Sequence, residues 1–219
     1  MSIPVVHGVI GSPYLWSALL AFEEKGAPYE LAAMPFGTLK AEAHLRRHPF
    51  GRIPAMEQDG WVLYETQAIM RYVDAAFPGP SLQPGDPREA ARMNQVMGVT
   101  DAYVFPQIGR PIGFPRLYAP RLGIPVDEDA IVRALPDARN CIAEIARLLG
   151  ERTWFAGGAV SLADLLLAPH LSFLAKVPEV EAMLQDHATL RAWIARVEAR
   201  PSMTAMTPDA LRQHAMASA

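Results

Sequence analysis

Ser12 stands directly before Pro13, and the pair opens a stretch with helical spacing. A hydroxyl followed by proline at the first helical position is the pattern of a helix start. The oxygen accepts from a first-turn N–H, and proline gives up a donor that would have had no partner there. The same geometry has a second use. A helix N-terminus presents free N–H groups and positive potential, so it favours an anion such as a thiolate. A hydroxyl at that point can donate a hydrogen bond to the anion. Glu65-Thr66 opens another helix. Thr66 reads as its cap beside a surface carboxylate, or the two make a polar corner able to hold a ligand's amino and carboxylate groups together. Arg52-Ile53-Pro54 runs straight into a strand. Proline at a strand start marks a turn, with a cis bond as the special case.

Other stretches read more simply. Ser161-Leu-Ala-Asp164 has the spacing of a capping box, with Asp where Glu or Gln is usual, and the structural reading is preferred because its helix looks buried. Tyr14, Trp16, Tyr103, Phe105, Phe114 and Tyr118 either line an apolar cleft or belong to the core. The six histidines are dispersed and are read as holding no metal. Gly157-Gly158 lacks the lysine and the longer pattern of a phosphate loop. Cys141 lies in an apolar helical context and reads as a buried core thiol.

The elements that position these residues fall into two groups. Strand-like runs at Ile3–His7, Tyr29–Ala33, Ala55–Gln58 and Trp61–Tyr64 alternate with helices at Pro13–Lys25, Leu39–Arg47 and Thr66–Phe77. Gly26 sits where a helix end wants positive φ, and Asp59-Gly60 is a hairpin turn. The order β-α-β-α-β-β-α makes an α/β layer. The run 78–87, rich in Pro and Gly, stops every period and is read as a linker. Beyond it nothing looks like a strand. Helices are expected over Glu89–Ile108 with a kink at Pro106, over Asp127–Leu149, over Ser161–Ala175, and around Leu190, Trp193, Ile194 and Val197. Gly109–Gly123 is expected to be irregular. The domains are thus 1–77, an α/β domain, and 88–219, an all-α domain.

Composition sets outer bounds. The 219 residues are 51% hydrophobic and 20% charged, with a net charge of −3, so the chain can build a core and is not disordered. A pI near 6.1 and scattered cations offer no basic field to nucleic acid or an anionic membrane. No apolar run is long enough to span a bilayer, and Met1-Ser2-Ile3-Pro4 lacks the regions of a signal peptide. One cysteine excludes an intramolecular disulfide. The expected location is the cytoplasm.

Taken together, these stretches resemble the cytosolic glutathione transferase family. The likeness rests on Ser-Pro-Tyr at 12–14, a helix ending Glu24-Lys-Gly-Ala-Pro-Tyr-Glu30, His48-Pro-Phe-Gly-Arg-Ile-Pro54, Leu63-Tyr-Glu-Thr-Gln-Ala-Ile69, Ser161-Leu-Ala-Asp164, and Leu190-Arg-Ala-Trp193 through Arg200-Pro201. The resemblance implies a thioredoxin-like N-terminal domain, an all-α C-terminal domain and a homodimer. It implies a glutathione site on the first domain and, between the two, an apolar pocket for an electrophilic small molecule, with Tyr14, Tyr103 and Phe114 as candidates. Ser12 matches the serine that donates to the glutathione sulfur. Ile53, before Pro54, matches the residue whose backbone pairs with the cysteinyl part. Glu65 and Thr66 match the pair holding the γ-glutamyl end, and Lys40 a basic residue that meets the glycyl carboxylate. Trp16-Ser17 stand where many relatives carry Arg, and Arg52 replaces a frequent Gln, a cation still able to serve glutathione's carboxylates. The implied activity is transfer of glutathione to an electrophile, in detoxification and without a metal. Two alternatives stay open: a glutathione-dependent disulfide or peroxide reductase, and a non-catalytic interaction module of the same fold. The intact set Ser12, Glu65 and Thr66 favours a working ligand site.

Overall fold

Four short strands form one mixed sheet in the order β2-β1-β3-β4, in a computed structural model that describes residues 1–206 and Leu211. They are β1 (Val5–Gly8), β2 (Glu30–Ala33), β3 (Ala55–Gln58) and β4 (Trp61–Tyr64). β2 runs parallel to β1, and β3 is antiparallel to both β1 and β4. α1 (Pro13–Lys25), the one-turn α2 (Glu42–Leu45) and α3 (Thr66–Ala76) connect them. The chain divides into two compact units, residues 1–82 with 199–206 in the first and 83–198 in the second. Part of the expected helical domain thus belongs with the α/β unit. Arg200 explains why: its guanidinium donates to both oxygens of Glu24 on α1 at 2.7 and 2.6 Å. The expected linker is shared as well. Lys25 and Asp74, a buried pair 3.1 Å apart, take the Pro80 carbonyl and the Leu82 N–H at 3.0 and 2.9 Å.

In the first unit, side chains that alternate along the strands separate two faces. Val6 and Met56 are fully buried on the face that meets Leu15, Leu19 and Phe22 of α1 and Ile69, Met70 and Val73 of α3. His7 and Glu57 point the other way. α1 begins and ends as its sequence demands. Pro13 is its first residue, and Gly26 closes it at φ 61 with its N–H on the Glu23 carbonyl. α2 is shorter than expected because its cap, Ala41, has no side chain able to accept a first-turn N–H.

In the second unit no strand occurs among the described residues. α4 (Pro87–Val99) starts two residues earlier than expected, capped by Asp86, which accepts from Arg88 and Glu89. The expected kink and irregular stretch are replaced by a π-helical segment, Thr100–Gly113, followed by α5 (Phe114–Leu117) and a 3₁₀ turn, Ala119–Leu122. Pro106 and Pro111 bring no N–H and crowd an α-helical ladder, and the wider winding accommodates them. α6 (Glu128–Leu149) is capped by Asp127 and runs through Pro136. α7 (Leu162–Leu174) is buried on all sides. α8 (Pro178–Leu184) is a helix that periodicity missed, although Pro178 and the acidic Glu179 and Glu181 mark its first turn. α9 (Ala188–Glu198) carries Leu190, Trp193, Ile194 and Val197 inward, and α10 (Pro201–Ala205) follows in the first unit. No helix among the described residues is long and apolar enough to cross a membrane.

The core of the helical unit closes on one carboxylate. Asp164 is fully buried and accepts from Ser161 N and Oγ at 3.0 and 2.7 Å, from Phe155 N at 3.1 Å and from the Trp193 indole at 2.9 Å. It therefore caps α7 and pins both the 151–160 loop and α9. Burial raises its carboxyl above the ordinary range, against donors that favour the charged form. Asp164→Ala strands these donors in the core, and stability should fall by about 3–5 kcal/mol, read as a lower urea midpoint at unchanged slope. Asp164→Asn, which keeps an acceptor oxygen, should lose less. An Ala midpoint equal to that of the native protein would remove Asp164 from this role.

His170 supplies a pH test. Burial pushes it down to about 4 from an ordinary 6.5, with the Leu166 carbonyl pulling the other way. Between those values the unfolded chain binds the proton and the folded chain does not, so stability falls as pH falls. The loss should reach about 2 kcal/mol by pH 5, and His7 and His48, lowered in the same direction, add to it. His170→Gln should flatten its share of the profile in urea titrations at pH 7 and 5. Parallel profiles for the two proteins would contradict the assignment.

Candidate functional site

Ala55 lies opposite His7 on one side and Tyr64 on the other. This register places the end of β1, the start of β3 and the end of β4 at one edge of the sheet. β2 ends there too, since Gly8 pairs with Ala33. The chain crosses this edge at the 9–12 loop leading to Ser12, at Ile53-Pro54, at Glu65-Thr66 and at the loop that carries Lys40. Strand pairing thus brings the segments that carry Ser12, Ile53-Pro54 and Glu65-Thr66 to one edge.

Ser12 is the cap of α1, with φ −74 and ψ 125, and its Oγ accepts from Leu15 N at a long 3.4 Å. A serine hydroxyl has one proton and two lone pairs, so capping uses an acceptor site only. Among the described residues the proton has no acceptor. The cap and donor readings are compatible in one side chain. No acidic residue stands in the first turn of α1, so nothing there offsets the positive end of the helix. Tyr14, half-buried, lies in the same turn.

The Ile53–Pro54 peptide is cis. Glu65 joins β4 to α3 in a single step at φ 74 and ψ 119, a region that side-chain-bearing residues disfavour by about 1–3 kcal/mol. Glu65, not Thr66, occupies the cap position, and it makes no side-chain cap bond, so its exposed carboxylate is not spent on its own helix. Thr66, the expected cap, is the first residue of α3 and is buried. Lys40 is exposed and donates to the Phe50 carbonyl at 3.1 Å. Gly51 follows at φ 60, where a Cβ would stand 2.7 Å from the Leu39 carbonyl and 2.9 Å from the Lys40 ammonium, so only glycine fits. The Arg52 side chain is exposed.

Sequence reasoning passed over the histidines beneath this edge. His44 and His48 stand four residues apart, a spacing that puts both rings on one side of a turn. His44 Nε2 donates to the Arg52 carbonyl at 2.7 Å. The His48 ring lies 4.8 Å from that of Tyr64. Burial lowers His48 below its ordinary value although the Glu65 charge pulls it up, so it adds no cation beside that carboxylate at neutral pH. His7 meets Glu57 at 2.9 Å, and the Arg47 guanidinium lies 3.0 Å from the other Glu57 oxygen. Burial, then the Arg47 charge, holds His7 low against Glu57. Among the described residues no group of three or more His, Cys, Asp or Glu side chains is arranged to hold a metal.

The remaining aromatic candidates belong to the helical unit. Tyr103 is exposed on the π-helical segment, and Phe114, half-buried, stacks on Tyr118 with ring centroids 6.0 Å apart. Cys141 is buried, and burial pushes its thiol up to about 12.

Known proteins carry the same plan. Residues 6–81 match the family model described as the N-terminal domain of glutathione S-transferase, and residues 128–196 match its C-terminal domain. A probable glutathione S-transferase of rice (Oryza sativa subsp. japonica) is 30% identical over 198 residues, covering 88% of this chain and 91% of the relative. A glutathione transferase of Populus trichocarpa superposes with a TM-score of 0.84 at 25% identity, covering 97% of this chain and 99% of its own. Glutathione S-transferase I from maize, solved with an atrazine glutathione conjugate, gives a TM-score of 0.82 at 26% identity over the whole of both chains. With both family models matched in chain order and a relative 30% identical along nearly its whole length, the chain belongs to the glutathione S-transferase family.

Proposed function

We propose that this glutathione transferase activates the thiol of glutathione at the N-terminus of α1, with Ser12 as the catalytic donor. The observation that carries the reading is the Ser12 hydroxyl, which caps the helix through an acceptor site and keeps its proton for a ligand. A free thiol titrates near ~8.5 and is mostly protonated at neutral pH. One unit of depression corresponds to about 1.4 kcal/mol, within reach of one charge-assisted hydrogen bond. The thiolate then attacks an electrophilic carbon: the sulfur–carbon bond forms, and the leaving group departs with its electron pair. No nucleophile of the protein is needed.

The rest of the ligand follows the sheet edge. Glu65 and Thr66 take the γ-glutamyl end, where the free carboxylate meets its ammonium. Ile53, before cis-Pro54, pairs through its backbone with the cysteinyl part. Lys40 and Arg52 supply cations for the glycyl carboxylate. The second substrate is an electrophilic, largely apolar small molecule, with Tyr14 as the aromatic group beside the thiol; the atrazine conjugate on the maize relative supports an aromatic one. On this reading the protein is a cytoplasmic, homodimeric detoxification enzyme that works without a metal. A reductase passing through a protein–glutathione disulfide is disfavoured, because position 12 is Ser and the one cysteine, Cys141, is buried with its thiol pushed up to about 12.

Ser12→Ala removes the donor and leaves the backbone contacts in place. Glutathione affinity by calorimetry should change little, while turnover with a panel of electrophiles at neutral pH should drop about tenfold or more and recover in part at higher pH. Equal rates at every pH would leave Ser12 only a cap and pass the sulfur to another group, such as the Tyr14 hydroxyl. Loss of the cap costs about 1 kcal/mol, so rates are compared per folded molecule.

Glu65 gives an independent test, because its backbone and side chain pull in opposite directions. Glu65→Ala should weaken glutathione by about 2–3 kcal/mol, the scale of a lost hydrogen bond to a charged group. Glu65→Gly should lose the same affinity yet raise the melting temperature above that of the Ala variant, since glycine accepts φ 74 without strain. Undiminished affinity in both variants removes the carboxylate from the site.

A further inference from the structure

We infer that His44 is a positioning residue for glutathione, acting through the peptide that joins Arg52 to Ile53. The inference rests on the reading that the Ile53 backbone pairs with the cysteinyl part of the ligand. The Arg52 carbonyl and the Ile53 N–H are the two ends of one planar peptide unit. His44 Nε2 donates to that carbonyl at 2.7 Å. Fixing the oxygen fixes the plane, and with it the direction in which the Ile53 N–H points. A carbonyl that accepts a bond also polarises its peptide, which makes the N–H at the other end the stronger donor.

The surroundings support a dedicated contact. His44 is buried at 2% exposure, and its Nδ1 has no hydrogen-bond partner among the described residues. The bond to Arg52 is thus the polar contact that the ring makes, and meeting a carbonyl requires the tautomer with the proton on Nε2. The one-turn helix that carries His44 is held in turn from the sheet: Arg47, just beyond it, meets Glu57 of β3 at 3.0 Å, and Glu57 meets His7 of β1 at 2.9 Å. Lys40, in the loop just before that turn, donates to the Phe50 carbonyl. The peptide before Ile53 is therefore held by an imidazole on a turn that is itself anchored to the sheet.

Two variants separate this role from packing. His44→Phe keeps an aromatic ring and removes the donor, whereas His44→Gln keeps an N–H near the same carbonyl. The probes are glutathione and S-methylglutathione, which has the same cysteinyl backbone and no ionisable thiol. In His44→Phe the dissociation constants of both should rise together by about three- to tenfold, the equivalent of one net hydrogen bond. The turnover number at saturating glutathione should hold, so KM moves and kcat does not. His44→Gln should restore most of the affinity. Unchanged constants in His44→Phe overturn the inference, and so does a joint fall of kcat and affinity that Gln does not rescue, the mark of a merely structural residue. Should His44→Phe fail to fold, nitrogen NMR of the native protein decides. The His44 ring should show the Nε2–H tautomer and shift on saturation with S-methylglutathione; an unmoved ring contradicts the role. A native protein that binds neither probe fails the glutathione site itself and takes this inference with it, whereas native binding with an indifferent His44→Phe fails only the inference.

Discussion

The pairing of β3 with both its neighbours is the constraint on which the site depends. Ala55 stands between His7 and Tyr64, and side chains along a strand alternate faces. A slip of one residue would exchange Met56 for Glu57 on the face that meets α1 and α3, burying a carboxylate where a thioether now packs. The hydrophobic face thus locks the register. The register in turn brings the start of α1, the cis proline and the Glu65 corner to one edge of the sheet. Chemistry at the edge is set by packing in the core.

Two kinds of local departure sharpen that edge. Glu65 holds a backbone conformation that a residue with a side chain disfavours, and it leaves its own helix without a side-chain cap. Strain of this type persists where the surrounding structure over-determines it, here β4 running into α3 with Glu65 as the one residue between them. His44 and His48 are the second departure. Both are buried polar rings, and His44 holds the Arg52 carbonyl just before the cis proline. The helical unit shows the opposite use of a buried polar group. Asp164 is surrounded by donors and joins three segments, so its charge serves the fold.

Much of this was legible in the residues, and the reason is punctuation. Ser12-Pro13 and Gly26 bracket α1, and Asp59-Gly60 sets β3 and β4, so these elements match the sequence expectation residue for residue. Asp164 was legible from its spacing to Ser161. Where punctuation is weak the reading strayed. α2 has no capping side chain and shrinks to one turn, and two prolines in 100–113 suggest a break where the chain winds more widely instead. The return of 199–206 to the first unit depends on Arg200 meeting Glu24, a contact between residues far apart in sequence that no local pattern encodes. The positive φ of Glu65 and the His44 bond to Arg52 are likewise products of tertiary placement.

The central claim is that the N-terminus of α1 and the Ser12 hydroxyl turn bound glutathione into a thiolate. The most direct measurement is the ultraviolet absorbance of the thiolate in the native complex, followed against pH with glutathione saturating. The account predicts a midpoint at least about one unit below that of the free thiol, near ~8.5. A bound thiol that titrates together with free glutathione would contradict it.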